Sequence, residues 1–136
     1  MPVLTVVALL INFGLGVMSE RCSFSTSLGY NGRFNSPNYP FKYPNRTSRC
    51  WRLDSSSSNY VIHLTASSLK LESCPFCSCD SIEIFDGYSE FSRSLGKYCA
   101  GNIDLTSSGR YFYVKFTSDN SRNGDAFTIF YSRRKG

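Results

Sequence analysis

The chain has 136 residues, is 41% hydrophobic and 15% aromatic, and carries a formal net charge of +5. That length allows one domain with its own core, and the aromatic content is ample for packing it. A basic balance raises nucleic acid as a partner, but no basic-aromatic binding motif accompanies it, and after the N-terminal apolar run no second one exists to serve as a membrane or lipid-anchor segment.

Residues 3–17 are uncharged, too short and too Gly-broken for a membrane span, and read as the apolar part of a secretory signal. Val17 and Ser19 stand where cleavage requires small residues, so 1–19 are expected to be removed and the mature protein to begin at Glu20. An even set of 6 cysteines behind such a leader implies an oxidising compartment and a disulfide framework. Asn45-Arg46-Thr47 is a glycosylation sequon, with Asn45 as acceptor on an exposed loop.

In chain order, Leu28 to Phe34 encloses the pair Asn31-Gly32, which tolerates positive φ and predicts a hairpin-like start. Prolines at 37, 40 and 44 then forbid helix and central strand, leaving an extended surface segment studded with tyrosines. Strands are predicted over Cys50–Leu53 and Tyr60–Leu64, on either side of the loop Ser55–Ser58. Further strands are predicted over Ser81–Phe85, Leu95–Tyr98, Arg110–Phe116 and Ala126–Tyr131. Phe112, Val114 and Phe116 alternate with Tyr111, Tyr113 and Lys115, one face apolar and the other amphipathic. Short strands without intervening helices point to an all-β sandwich.

One stretch stands out chemically. Between Lys70 and Arg93 lie Glu72, Asp80, Glu83, Asp86 and Glu90, half of the chain's 10 acids and none of its bases. Concentrated negative charge in a basic protein points to a cation or a cationic partner, with a solvated acidic strand face as the alternative. The same stretch holds Cys74, Cys77 and Cys79. Cys74-x-x-Cys77 has the spacing of a redox dithiol but no βαβ context, and zinc would lack a fourth nearby ligand. His63 is the lone histidine and is expected on a strand surface, so no nucleophile-base pair can be assembled around it and catalysis is not expected.

The order Cys22, Gly32-x-Phe-x-Ser-Pro-Asn-Tyr-Pro-x-x-Tyr-Pro44, Cys50-Trp51, Leu71-Glu72, Cys77-x-x-Asp80, Asp86-Gly87, Gly96-x-Tyr-Cys99, Val114-x-Phe-x-Ser-Asp119 and Phe127-x-x-x-Tyr131 resembles a CUB domain almost from end to end. The resemblance implies a two-layer antiparallel jelly-roll sandwich, stapled by disulfides, with Cys22 bridged to Cys50. For the middle cysteines it favours Cys77 with Cys99 and Cys74 with Cys79. The competing arrangement, Cys79 with Cys99 and Cys74 with Cys77, stays open, since neighbouring cysteines allow several pairings. Ala66 and Ala126 stand where the family commonly has an aromatic residue and a glycine.

The calcium-binding subset of the family implies more. Glu72, Asp80 and Asp119 match its three carboxylate ligands to Ca²⁺, Tyr43 matches the tyrosine that buttresses them, and Asn120 and Ser121 fall in the loop that completes the shell and meets the partner. Arg122 departs from the pattern, with Asn123 following. Three carboxylates converging from separate loops repel one another without a cation, which makes the metal physically sensible.

The expected organisation is a signal over 1–19, a CUB domain over 20–132 and a basic tail over 133–136. The expected function is that of a secreted, non-catalytic module for calcium-dependent extracellular protein-protein interaction, its acids receiving a partner's Lys or Arg. The alternatives are a matrix component, of a mineralised or glycan-rich matrix, binding anionic glycans through the basic surface, or a fragment of a larger CUB-containing protease. Neither nucleic acid nor membrane insertion is expected.

Overall fold

The computed structural model describes residue 22 and residues 24–121 and 124–136. The proposed leader therefore lies outside the described residues, as do Arg122 and Asn123. Among the described residues nine strands follow one another: β1 (Phe24–Leu28), β2 (Gly32–Asn35), β3 (Ser48–Asp54), β4 (Tyr60–Lys70), β5 (Ser81–Asp86), β6 (Arg93–Tyr98), β7 (Ala100–Thr106), β8 (Tyr111–Thr117) and β9 (Thr128–Lys135). They form a five-stranded sheet, β1-β3-β8-β5-β6, and a four-stranded sheet, β2-β9-β4-β7. The architecture is the all-β sandwich expected from the alternating sequence. Every pairing is antiparallel except β1 with β3.

The alternation read in the sequence is the one that fills the core. Phe112, Val114 and Phe116 of β8, Ile82 and Ile84 of β5, and Ile62 and Leu64 of β4 have no exposed surface. Burying each such side chain contributes roughly 1.5–3 kcal/mol. Phe34 of one sheet stacks on Trp51 of the other with centroids 4.4 Å apart, and Tyr43, Phe116 and Phe127 form a second cluster joined at 4.8 and 5.2 Å. A smaller cluster forms outside the five-stranded sheet, where Cys22 covers Cys50, Phe85 and Tyr113.

Several expectations are revised. Asn31-Gly32 does not close a hairpin: β1 pairs with β3 and β2 with β9, so the turn carries the chain from one sheet to the other. The segment after Ser36 makes no strand, and Tyr39 and Phe41 are exposed, yet Tyr43 is wholly buried. Burial there is decided by Phe116 and Phe127, residues too remote in sequence for a local reading to include. Strand β7 begins Ala-Gly-Asn and buries fully only Ile103, so it carries little period-2 signal. The basic residues Arg133 to Lys135 are not a free tail but the end of β9, paired with Tyr60 to Ile62.

Strand β4 carries a bulge between Ala66 and Leu69, with Ser68 at φ 55°. Two exposed serines, Ser67 and Ser68, therefore separate buried Ala66 from buried Leu69. Were these residues to keep a strict period of two with no bulge, Leu69 and Leu71 would turn outward. The bulge keeps both in the core, and Glu72 emerges just beyond them at the sheet's end.

Candidate metal centre

The cysteines of the acidic stretch tie it down first. The structure pairs Cys22 with Cys50, Cys74 with Cys79 and Cys77 with Cys99. The second bridge closes a tight loop whose 3-10 turn, Pro75–Cys77, holds Phe76 and Cys77 at positive φ. The third fastens that loop to the end of β6. Glu72 before the loop and Asp80 after it are thereby held at one end of the sandwich.

Asp80 is the anchor and has no exposed surface. A carboxylate removed from water requires donors. Tyr43 Oη donates to its Oδ2 at 2.6 Å, and the Asp119 amide donates to its Oδ1 at 2.9 Å. Tyr43 Oη in turn accepts from the Glu72 amide at 3.1 Å. One buried tyrosine thus links the strand leaving β4, the start of β5 and the loop after β8. Burial and the bond to Asp80 push the Tyr43 phenol well above its usual range. Burial also raises Asp80, against the lowering effect of its two donors, and the Asp119 charge raises it further.

Glu72 and Asp119 complete the cluster. One carboxylate oxygen of each and the sulfur of Cys79 lie within 4.8 Å of one another. That sulfur is bonded to Cys74 and offers no thiolate, so the donors available to a metal are oxygens. Partial desolvation comes first in raising Glu72, followed on the same side by the Asp119 charge, while the Ser121 amide holds Asp119 below the usual carboxylate range.

Ser121 Oγ sits 3.3 and 3.1 Å from the two Glu72 oxygens and 3.0 Å from Asp119 Oδ1. A hydroxyl has one proton, so it can satisfy only one of these three acceptors at a time. Among the described residues the ion pairs are His63–Asp104, Arg110–Asp54 and Lys115–Glu90, and none reaches this cluster. A group of hard oxygens that no described cation pairs with fits Ca²⁺ by donor type.

The structure thus brings Glu72, Asp80, Asp119, Tyr43 and Ser121 to one end of the sandwich. Asn120 is exposed on the same loop. Asn45 is exposed nearby, since the Arg46 amide donates to the Asp119 carbonyl at 2.8 Å. Sequence reasoning missed the proximity of the Cys74–Cys79 bridge to the carboxylates. Only the extra cysteine pair hinted at it.

The CUB domain family model matches residues 22–131. Human tolloid-like protein 1 is 34% identical over 108 residues, covering 78% of this chain and 11% of its own. A cubilin homolog of Drosophila melanogaster is 35% identical over 133 residues, covering 95% of this chain and 4% of its own, and human neuropilin-2 is 39% identical over 104 residues, covering 74% and 11%. The chain therefore spans about a tenth or less of these relatives. Among solved structures, the extracellular region of zebrafish Gpr126/Adgrg6 superposes with a TM-score of 0.70 at 27% identity, covering 85% of this chain and 15% of that one. The MASP-1 CUB2 domain bound to Ca²⁺ superposes with a TM-score of 0.63 at 23% identity, covering 82% and 99%, which shows likeness of fold.

Proposed function

The chain belongs to the CUB domain family, and from that premise we propose that it is a secreted, non-catalytic module that binds an extracellular protein in a calcium-dependent way. The observation carrying this reading is the meeting of Glu72 and Asp119 over buried Asp80, three acids from separate segments gathered around one tyrosine. Glu72, Asp80 and Asp119 would hold the ion, with Tyr43 fixing Asp80 and Ser121 spanning the outer two. Bound Ca²⁺ supplies the positive charge that lets the carboxylates stay ionised side by side.

Asp119 lies on the loop with Asn120 and Ser121, and that loop is where a partner's Lys or Arg would be received. Carboxylate oxygens not engaged with the ion remain acceptors for such a cation. Because the chain is a small part of its relatives' length, the same module would serve equally inside a larger protein.

Asp119→Ala is the direct test. Asp119 stands 39 residues beyond Asp80 and joins it only through the fold. Calorimetric titration is expected to give millimolar-range calcium affinity for the wild type, Kd about 10⁻⁴ to 10⁻³ M. The variant should bind at least about tenfold more weakly. Equal affinities, or no binding by either protein at millimolar calcium, would overturn the assignment.

A further inference from the structure

The basic surface nominated by the sequence is largely occupied within the fold. The Arg133 guanidinium lies 4.0 Å from the Tyr30 ring and 4.2 Å from the Tyr60 ring and donates to the Ser55 carbonyl. Arg134 donates to His63 Nδ1 at 2.8 Å, and His63 Nε2 meets Asp104 at 2.6 Å. Two other cations have no such partners. Among the described residues neither the Arg46 guanidinium nor the Lys97 ammonium forms an ion pair. Both line a cavity of about 450 Å³ on the outer face of the five-stranded sheet.

The register builds this cavity. Ile82 and Ile84 point into the core, so Ser81 and Glu83 face outward. Ser48 of β3 and Ser81 of β5 both lie opposite Thr117 of β8, giving a polar row across three strands in which the Ser81 hydroxyl is buried and lies 3.3 Å from that of Thr117. In the next row Glu83 lies between Lys97 of β6 and Lys115 of β8. Lys115 reaches Glu90 at 2.8 Å, while Arg46 and Lys97 at the two sides form no ion pair among the described residues. Glu83 uses one oxygen to accept from Ser94 Oγ at 2.7 Å. Its other oxygen remains an acceptor in the groove.

We propose that this groove binds a sulfated saccharide segment. Its volume falls in the range of small-ligand sites, roughly 300–1,000 Å³. Sulfate esters accept charge-assisted hydrogen bonds from Arg46 and Lys97, and a sugar hydroxyl can donate to the Glu83 carboxylate or to the Thr117 hydroxyl beside it. Glu83 discriminates further: a carboxylate in the floor requires a ligand that donates as well as accepts. A saccharide with both sulfates and free hydroxyls does that, whereas the phosphodiester backbone of a nucleic acid presents acceptors almost alone. No aromatic side chain lines the groove, so nothing there would stack a base. None of the proposed calcium ligands lines this groove, although the two sites adjoin, because the Arg46 amide donates to the Asp119 carbonyl at 2.8 Å.

The test uses the full chain with a heparin hexasaccharide, titrated by calorimetry with a calcium chelator present so that the carboxylate site plays no part. Arg46→Gln combined with Lys97→Gln leaves the Asn45 sequon intact and is expected to weaken binding at least about tenfold. A charge-matched control, Arg33→Gln with Lys135→Gln on the other sheet, is expected to change it by less than about twofold. The same hexasaccharide without sulfates should bind at least about tenfold more weakly than its sulfated parent. Equal losses in the two double variants, or no binding by the wild type, would overturn the proposal. So would an oligonucleotide of matched charge that binds as tightly. Binding that appears only after Asn45→Gln would assign the groove to the protein's own glycan instead, and would also overturn it.

Discussion

Two aspartates in this protein meet opposite environments. Asp80 is wholly buried and takes neutral donors, Tyr43 and a backbone amide, so its carboxyl is raised despite them. Asp54 is partly exposed and takes a cation: Arg110 Nε and Nη2 donate to its two oxygens at 2.6 and 3.1 Å, and the Ser56 amide adds a third bond at 2.8 Å. The Arg110 bonds are the main reason its carboxyl falls below the ordinary 3.8. A carboxylate with a depressed folded pKa contributes stability above its unfolded value, and that contribution is lost as the pH falls through the lower folded one. Asp54→Asn should therefore lower the urea midpoint at pH 7, and the difference from wild type should shrink at a second pH below the ordinary 3.8. A gap of the same size at both pH values would mean that the charge of this pair contributes nothing.

Elements at the carboxylate end depend on close backbone contact between the end of β4 and the loop before β9. The Asp125 amide donates to the Lys70 carbonyl at 2.8 Å, and Gly124 lies against the same turn of chain. A Cβ at Gly124 would stand 2.3 Å from the Lys70 carbonyl oxygen and 2.5 Å from Leu71 Cα, both backbone atoms that cannot swing aside. Gly124→Ala should thus cost about 1–3 kcal/mol by overpacking. The strain should also weaken calcium binding, because Lys70 and Leu71 lead directly into Glu72. Thermal unfolding and calorimetric titration of the variant check both effects. An unchanged midpoint would show that the loop can retreat, and would detach this glycine from the site.

For the molecule as a whole, the sandwich is held by one core and three bridges of unequal span. Cys77–Cys99 encloses a sequence separation of 22 and Cys22–Cys50 one of 28, whereas Cys74–Cys79 encloses only 5. By loop-closure entropy, removing Cys77–Cys99 as a double serine variant should cost about 3 kcal/mol and removing Cys74–Cys79 about 2 kcal/mol. The smaller loss should carry the larger functional effect, because the Cys79 sulfur is among the atoms within 4.8 Å at the carboxylates. Denaturant unfolding and calcium titration of both variants test this inversion. It is wrong if the Cys74→Ser, Cys79→Ser protein binds calcium as the wild type does.

The sequence alone determined the sandwich, since apolar alternation such as Phe112, Val114, Phe116 can be satisfied only by a sheet with one buried face, and that pattern is local. It also supplied Glu72, Asp80 and Asp119 as the acids now proposed for calcium, because they sit in motifs resembling those of the calcium-binding CUB domains. Tertiary structure decided what no local pattern encodes. Asn31-Gly32 crosses between sheets because β2 finds its partner in β9, nearly a hundred residues away. Arg133 and Arg134 are strand residues already occupied by Tyr30, Tyr60 and His63, while Arg46 and Lys97, from a loop and a distant strand, share a groove. Periodicity is a property of neighbours along the chain, but which charges meet is a property of strand order and register, and those are set by the fold.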